Sequence, residues 1–140
     1  MKILLAVDGS SYSKKMLAYL TTHESLFLQG HDFTAIHVQP QLPAHARAAV
    51  GKDIVATYYR EEGEKVLNPV SKFLMRHGIN ARTVMKTGHV AETIAKVADQ
   101  SKFDLVIMGS HGHGGLMKLV MGSVATQVLA HCKTPVLLVR

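Results

Sequence analysis

A chain of 140 residues, 47% hydrophobic and 19% charged, has the length and balance of one globular domain that buries about two-thirds of its unfolded surface. Its formal charge of +6 and isoelectric point near 9.6 favour anionic partners, but the basic residues are dispersed, with no tract longer than Lys14-Lys15, and aromatics are few, which disfavours nucleic acid. The apolar opening Met1 to Val7 stops at Asp8, too short for a signal or membrane segment. No later run spans a bilayer, and the single cysteine, Cys132, has no internal disulfide partner, so a reducing, cytoplasmic setting is expected.

Apolar runs and helical stripes alternate along the chain. Residues 2–7 read as a continuous apolar strand. Ser10 to Phe27 reads as a helix with Leu17, Leu20, Glu24 and Phe27 on neighbouring turns. Residues 32–38 form a second strand, and a Pro-, Ala- and His-rich loop from Gln39 to about Lys52 carries His45 and Arg47. A long helix follows, with Val55, Tyr59, Val66, Val70, Phe73 and Leu74 on one stripe, ending at Gly78; Pro69 predicts a kink or restart within it. Strand three covers Ala81 to Thr87 and a short helix Val90 to Ser101. Strand four covers 104–108, a last helix roughly 119–131, and strand five Pro135 to Val139.

Five strands alternating with helices predict an α/β fold, an open, mostly parallel sheet with right-handed crossovers. Strands one, four and five are apolar throughout, as burial on both faces requires, whereas Arg82 and Lys86 suit strand three to a solvent-blunted edge. Strand five is apolar and also the chain terminus; if it lies at the other edge, its bare hydrogen-bonding row needs a cover. A second copy of the chain is the simplest cover, so a homodimer through Pro135 to Val139 is expected.

The residues most informative about function follow strand four: Gly109-Ser110-His111-Gly112, then nine residues, then Gly122-Ser123 at the start of a helix. Glycines at a strand's end let backbone N–H groups reach a ligand, and a helix start adds unpaired donors and a positive dipole end, together a cradle for phosphate. Ligands of open α/β sheets bind beyond the strands' carboxyl ends where strand order reverses. There Asp8, in Val7-Asp8-Gly9-Ser10, is suited to ribose hydroxyls or a magnesium ion, or to capping the first helix. A P-loop is excluded because Gly115 stands where Lys is required. A dinucleotide fingerprint is excluded because Met117 stands in the third glycine's place.

With these residues in hand, the chain resembles the universal stress proteins, the UspA-like α/β domains. The resemblance runs over all 140 residues, through Val7-Asp8-Gly9-Ser10, the motif G-x-x-G, nine residues, G-[S/T], and the closing Pro135-Val136-Leu137-Leu138-Val139. It implies a single adenine-nucleotide alpha-hydrolase-like domain with strand order 3-2-1-4-5, dimerising through strand five, with ATP (or ADP or AMP) across strands one and four. Asp8 would meet the ribose or the accompanying Mg²⁺, and the Val38 backbone the adenine. Gly109, Gly112, Gly122 and Ser123 would form the ribose and phosphate cradle. Val7, Gly9 and Ser10 of the first loop and His37 beside Val38 complete the implied near side. Met108, Ser110, His111, His113, Gly114 and Val124 complete the far side. Members often carry Arg where this chain has His113, exchanging a permanent cation for a pH-dependent one, with Lys118 near enough in sequence to compensate.

His111 and His113 lack the further local ligands a metal site needs and read as loop histidines. Cys132 reads as a small hydrophobe, Met108, Met117 and Met121 as packing, and Tyr58-Tyr59 as one surface ring and one core ring. Hydrolysis needs a positioned water, a metal and charge stabilisation, and the expected edge offers only Asp8, with no arginine finger. The expectation is a nucleotide-binding stress-response module with at most slow ATP hydrolysis and an unidentified downstream protein partner. A nucleotide-free interaction dimer and a slow Mg²⁺-dependent ATPase or phosphotransferase are the alternatives.

Overall fold

In the computed structural model, which describes residues 1–27, 29–114 and 120–140, the strands β1 (Lys2–Ala6), β2 (Asp32–Gln39), β3 (Arg82–Thr87), β4 (Leu105–Gly109) and β5 (Val136–Val139) form one parallel sheet in the order β3-β2-β1-β4-β5. The helices are α1 (Ser11–Thr22), α2 (Glu24–Phe27), α3 (Ala44–Val50), α4 (Lys52–Arg76), α5 (Val90–Gln100) and α6 (Ser123–His131). Strand β1 is central, and its side chains alternate between two cores. Ile3 and Leu5 pack with Met16, Leu17 and Leu20 of α1 and Leu67, Val70 and Leu74 of α4. Leu4 and Ala6 pack with Ile94 and Ala98 of α5 and Ala125 and Val128 of α6. The register sets Ala6 beside both Ile36 and Met108, so the three middle strands run out at one level.

Three local expectations change. The first helix ends at Thr22 and a separate turn covers Glu24–Phe27. The Thr21 and Thr22 hydroxyls bond back to carbonyls of the preceding turn, and His23 Nδ1 lies 2.8 Å from the Tyr19 carbonyl while its ring stacks on Tyr19 at 4.0 Å. Side chains that hydrogen-bond locally compete with helix continuation, and three in succession stop it. The stretch from Gln39 to Lys52 is not all loop: the alanines of Ala44–Val50 carry helix α3 after Pro43, although none of its residues is buried. Gly51, at φ +85°, separates it from α4. Helix α4 runs unbroken through Pro69, because Leu67 and Val70 anchor it on both sides while Pro69 itself faces solvent. Water can then solvate the Lys65 carbonyl that the proline leaves without a donor. The last helix begins at Ser123; Met117 and Lys118 lie outside the described residues.

β3 and β5 form the two edges: the charges of strand three predict the first, whereas the apolar composition of strand five does not mark the second. β3 is largely exposed, with Arg82 3.6 Å from Asp32. β5 is half-buried, save for Val139 at 9% exposure, and its preceding turn is pinned by Asp99 of α5. The Asp99 carboxylate accepts from the Lys133 and Thr134 backbone N–H groups at 3.0–3.1 Å and from the Thr134 hydroxyl at 2.8 Å. The Lys133 N–H bond leads the effects that hold this carboxyl below its ordinary 3.8. Asp99→Ala is expected to lower unfolding stability by about 1–2 kcal/mol in urea denaturation at neutral pH. Because the folded-state pKa is depressed, the Asp99 contribution is fully present above the unfolded-state value near 4 and disappears as pH falls through the lower folded-state value. The wild-type and Asp99→Ala stabilities should therefore converge in acid.

Candidate functional site

The strand order reverses between β1 and β4, and the helices that leave these strands depart to opposite faces. A cavity of about 660 Å³ opens at this point, a size typical of small-molecule sites. Its floor is apolar, made by Ala6, Val38 and Met108 at the ends of three strands, with Ile94 and Ala125 beside them. Polar groups are confined to the rim: the Asp8 turn, the glycine loop after β4, the start of α6, and Gln39 at the end of β2.

Asp8 is built into the first turn. Its Oδ1 accepts from the Ser10 N–H at 2.9 Å and from the Ser13 hydroxyl at 2.8 Å, while the Asp8 N–H donates back to Ser13 Oγ at 3.0 Å. Ser10 caps α1, accepting from the Ser13 N–H. Gly9 takes φ +78° to turn the chain from strand to helix, a conformation that side chains rarely adopt. Burial pushes the Asp8 carboxyl up, but the hydrogen bonds from Ser10 and Ser13 and the charge of His113 outweigh it and hold the group below 3.8. Asp8 is therefore ionised at neutral pH, with one oxygen committed to the turn and Oδ2 directed toward the glycine loop.

The glycines of that loop permit three close approaches. A Cβ on Gly112 would lie 2.6 Å from Asp8 Oδ2. One on Gly109 would lie 2.7 Å from Tyr12 Cβ, and one on Gly122 would lie 3.0 Å from the His111 Cα and 3.3 Å from the Ser110 carbonyl. Gly109 thus lets α1 sit against β4, Gly112 lets the loop sit on the carboxylate, and Gly122 lets α6 start directly over the loop. The Gly122 N–H closes the loop onto the Ser110 carbonyl at 2.7 Å, and the Ser110 N–H reaches the Val139 carbonyl of β5 at 2.8 Å. His113 Nε2 donates to the Asp8 carbonyl at 2.7 Å and ties the glycine loop to the first turn. His111 contacts the Ser110 hydroxyl at 2.8 Å and the Tyr12 ring.

Helix α6 begins at this loop with Gly122 as its cap and no side-chain capping bond. The N–H groups of Ser123, Val124 and Ala125 have no acceptor within the helix, and all three residues line the cavity. These donors and the helix dipole favour an anion there.

Of the residues singled out from sequence, Val7, Asp8, His37, Val38, Met108, Gly109, His111, Gly112, His113, Gly114, Gly122, Ser123 and Val124 border this one cavity. Gly9, Ser10 and Ser110 stand behind it: Ser10 and Ser110 are buried, and all three shape the turns that carry the rim. His37 is a buried tie, with Nδ1 2.9 Å from the Val7 carbonyl. Sequence reasoning missed the wall supplied by α4, where Glu62 and Lys65 form an ion pair of 2.9 Å beside Val66. The Glu62 hydrogen bond holds the Lys65 ammonium above its ordinary 10.5. Only Val66 belonged to a recognisable stripe; nothing local in the sequence marks Glu62 or Lys65. Among the described residues no three His, Cys, Asp or Glu side chains converge as a metal cluster. The Asp8 carboxylate, ionised and with Oδ2 outside the hydrogen bonds of the turn, is an oxygen donor of the hard type that Mg²⁺ takes. Cys132 is half-buried against the α5–α6 core, and burial pushes its thiol up, as for a packing residue.

The Ser13 hydroxyl both donates to Asp8 and accepts from it, and Ser13 is 4% exposed. Ser13→Ala is expected to cost about 1–3 kcal/mol by orphaning the Asp8 N–H, and to raise the Asp8 pKa, read by NMR titration of the carboxyl carbon. The depressed Asp8 pKa contributes stability above about pH 4 that is lost as pH falls through the folded-state value; in Ser13→Ala that loss should begin at higher pH.

Comparison with known proteins extends this geometry. The model of the Universal stress protein family matches residues 1–140. Universal stress protein MJ0531 of Methanocaldococcus jannaschii is 31% identical over 140 residues, covering 99% of this chain and 81% of the relative. The solved structure of MJ0577, from the same organism, superposes with a TM-score of 0.82 at 25% identity, over 99% of this chain and 94% of that one. Three solved structures share the fold at lower identity and hold nucleotides. One is a universal stress protein with cAMP (TM-score 0.70, 20% identity, 100% and 97% covered). The others are an Arabidopsis thaliana family member with AMP (0.69, 16%, 99% and 90%) and the Archaeoglobus fulgidus protein with dAMP (0.70, 19%, 100% and 98%). The match over the whole chain and the shared 3-2-1-4-5 sheet make this chain a member of the universal stress protein family.

Proposed function

We propose that this chain is an adenine-nucleotide-binding universal stress protein that acts as a homodimeric regulatory module. The observation that carries this reading is the meeting of an apolar floor, the Gly109–Gly114 loop and the uncapped start of α6 around one cavity. A purine ring suits the floor near Val38, and the phosphates suit the N–H groups of Ser123, Val124 and Ala125. The ribose then falls between them near Asp8. The cAMP, AMP and dAMP held by three proteins of the same fold support an adenine nucleotide as ligand. ATP is the form the family resemblance implies, and Mg²⁺ bound through Asp8 Oδ2 would neutralise phosphate charge.

A nucleotide-free interaction dimer of the same fold is the weaker alternative, because packing accounts for the glycines but not for a cavity of about 660 Å³ bordered by the uncapped start of α6. Turnover is weaker still. Glu62 adds a second carboxylate to the rim, but it is committed to Lys65, and among the described residues of the cavity wall no arginine faces the phosphate end. Among the described residues no helix is long and apolar enough to cross a membrane, and a cytoplasmic location is part of this proposal.

Gentle purification followed by denaturation should release an adenine nucleotide, and ATP titrated into the stripped protein should give saturable heat, more of it with Mg²⁺. No heat up to millimolar ATP would overturn the proposal. Gly112→Val is expected to weaken binding at least about a hundredfold, since its side chain would enter the space held by Asp8 Oδ2. Gly122→Val should weaken it too, but by displacing the His111 backbone rather than by blocking a phosphate directly.

The homodimer uses the free edge of β5. The Val106 N–H bonds the Pro135 carbonyl, so residues 135, 137 and 139 face β4 while the N–H groups of Val136 and Leu138 point away from it. Leu138→Pro removes one outward donor and leaves the β4 ladder intact. Sedimentation should then show a dimer for the wild type and a monomer for Leu138→Pro; a dimer in both would exclude this edge.

A further inference from the structure

Among the described residues that line the cavity, Lys65 of α4 is the only lysine or arginine, with the Glu62 carboxylate 2.9 Å away. The direction in which this pair points follows from the helix. A Cβ on Gly63 would run into the Met85 side chain of β3, whereas one on Gly9 would lie 3.4 Å from Val66 Cγ2 and 3.8 Å from His113 Nε2. Gly63 therefore faces the β3 edge, and Val66 faces the turn after β1. At about 100° per residue, Gly63, Val66, Glu62 and Lys65 follow one another round α4 in steps of about 40–60°. Continuing that rotation from β3 past β1 leads toward β4, so Glu62 and Lys65 point to the glycine loop. The loop joins the two sides of the cavity. At one end His111 Cα lies 3.0 Å from the Cβ position of Gly122, where α6 starts, and at the other His113 sits beside Gly9 and Val66.

We propose that Lys65 is the counter-charge for the outer phosphates of the ligand, so that the site prefers a nucleoside triphosphate to a monophosphate. The inference rests on the nucleotide reading above and deepens it by naming the phosphate count. A first phosphate at the start of α6 meets the N–H groups of Ser123, Val124 and Ala125. Further phosphates laid along the glycine loop leave that helix start and approach α4. Each adds negative charge near Asp8 and Glu62, two carboxylates of the same cavity, and Lys65 is the side chain placed to offset it. The Lys65 side chain is 71% exposed and that of Glu62 33%, so theirs is a surface ion pair that contributes little by itself. A polyphosphate offers the ammonium more negative charge than one carboxylate does, which favours the exchange of partner. Glu62 is then the competitor that limits it.

Calorimetric titration of AMP and ATP into the stripped full-length protein, with EDTA present and at low salt, tests this assignment. Wild type should bind ATP more tightly than AMP. Lys65→Gln should reduce the ratio of ATP to AMP affinity at least about fivefold, Lys65→Arg should keep it within about twofold, and Glu62→Gln should raise it at least about twofold. These differences should shrink as salt rises from about 20 mM to about 500 mM, as they do for charges in contact with solvent. Neither side chain is buried and both replacements are good helix formers, so the variants keep the fold. An unchanged ratio in Lys65→Gln, a lowered ratio in Glu62→Gln, or wild-type AMP binding at least as tight as that of ATP would each overturn the role of Lys65 while leaving nucleotide binding intact. Absence of binding by both nucleotides would overturn the nucleotide reading and this inference with it.

Discussion

Strand β1 is sealed on all four sides, and that constraint organises the molecule. Its neighbours β2 and β4 take its backbone hydrogen bonds, while Ile3 and Leu5 on one face and Leu4 on the other are fully buried beneath helices. A strand with no free side must have its helices leave it and β4 toward opposite faces. At the carboxyl ends nothing then covers the gap between them. The cavity is the geometric remainder of a well-packed sheet, and its apolar floor consists of the last core residues of three strands.

Because the gap is structural, the groups around it serve stability and binding together. Asp8 spends one oxygen on the cap of α1 and presents the other beneath Gly112. His113 bonds the Asp8 carbonyl, so the glycine loop and the first turn are mechanically joined. The Ser110 N–H connects that loop to Val139 of the edge strand β5. A ligand that orders the loop would therefore be coupled, through two backbone bonds, to the surface where a second copy is proposed to add. This is a short physical route by which occupancy can bias assembly, with the loop as the element both sites share.

Much of the architecture was legible because it depends on strong, local signals. Near-continuous apolar runs at 2–7 and 104–108 mark strands buried on both faces, and Arg82 with Lys86 marks an exposed edge. The Gly-x-x-Gly spacing marks a loop that must approach other backbone closely. Weak or competing signals misled where they met. Ala44 to Val50 reads as loop because a helix with no buried residue carries no apolar stripe, and Pro43 and His45 are loop-favouring neighbours. Pro69 looked like a break because its exposure, on which its tolerance depends, is not written in the local sequence. The helix stop at Thr22 arises from side-chain bonds to the helix's own carbonyls, which periodicity does not register.

The sequence by itself determined the alternation of elements, the class of fold, the edge character of strand three, and a glycine loop beside Asp8. Each of these follows from patterns within a dozen residues, where backbone preference and hydrophobic period act directly. Only the tertiary structure decided what each glycine accommodates, that His113 bonds a carbonyl 105 residues away, and that Glu62 and Lys65 of α4 wall the cavity. It also decided that His37 is a buried tie between the Val7 carbonyl and the Gln39 side chain. These relations join atoms from distant parts of the chain at a few ångströms, and such distances exist only once the sheet has brought the strand ends to one level.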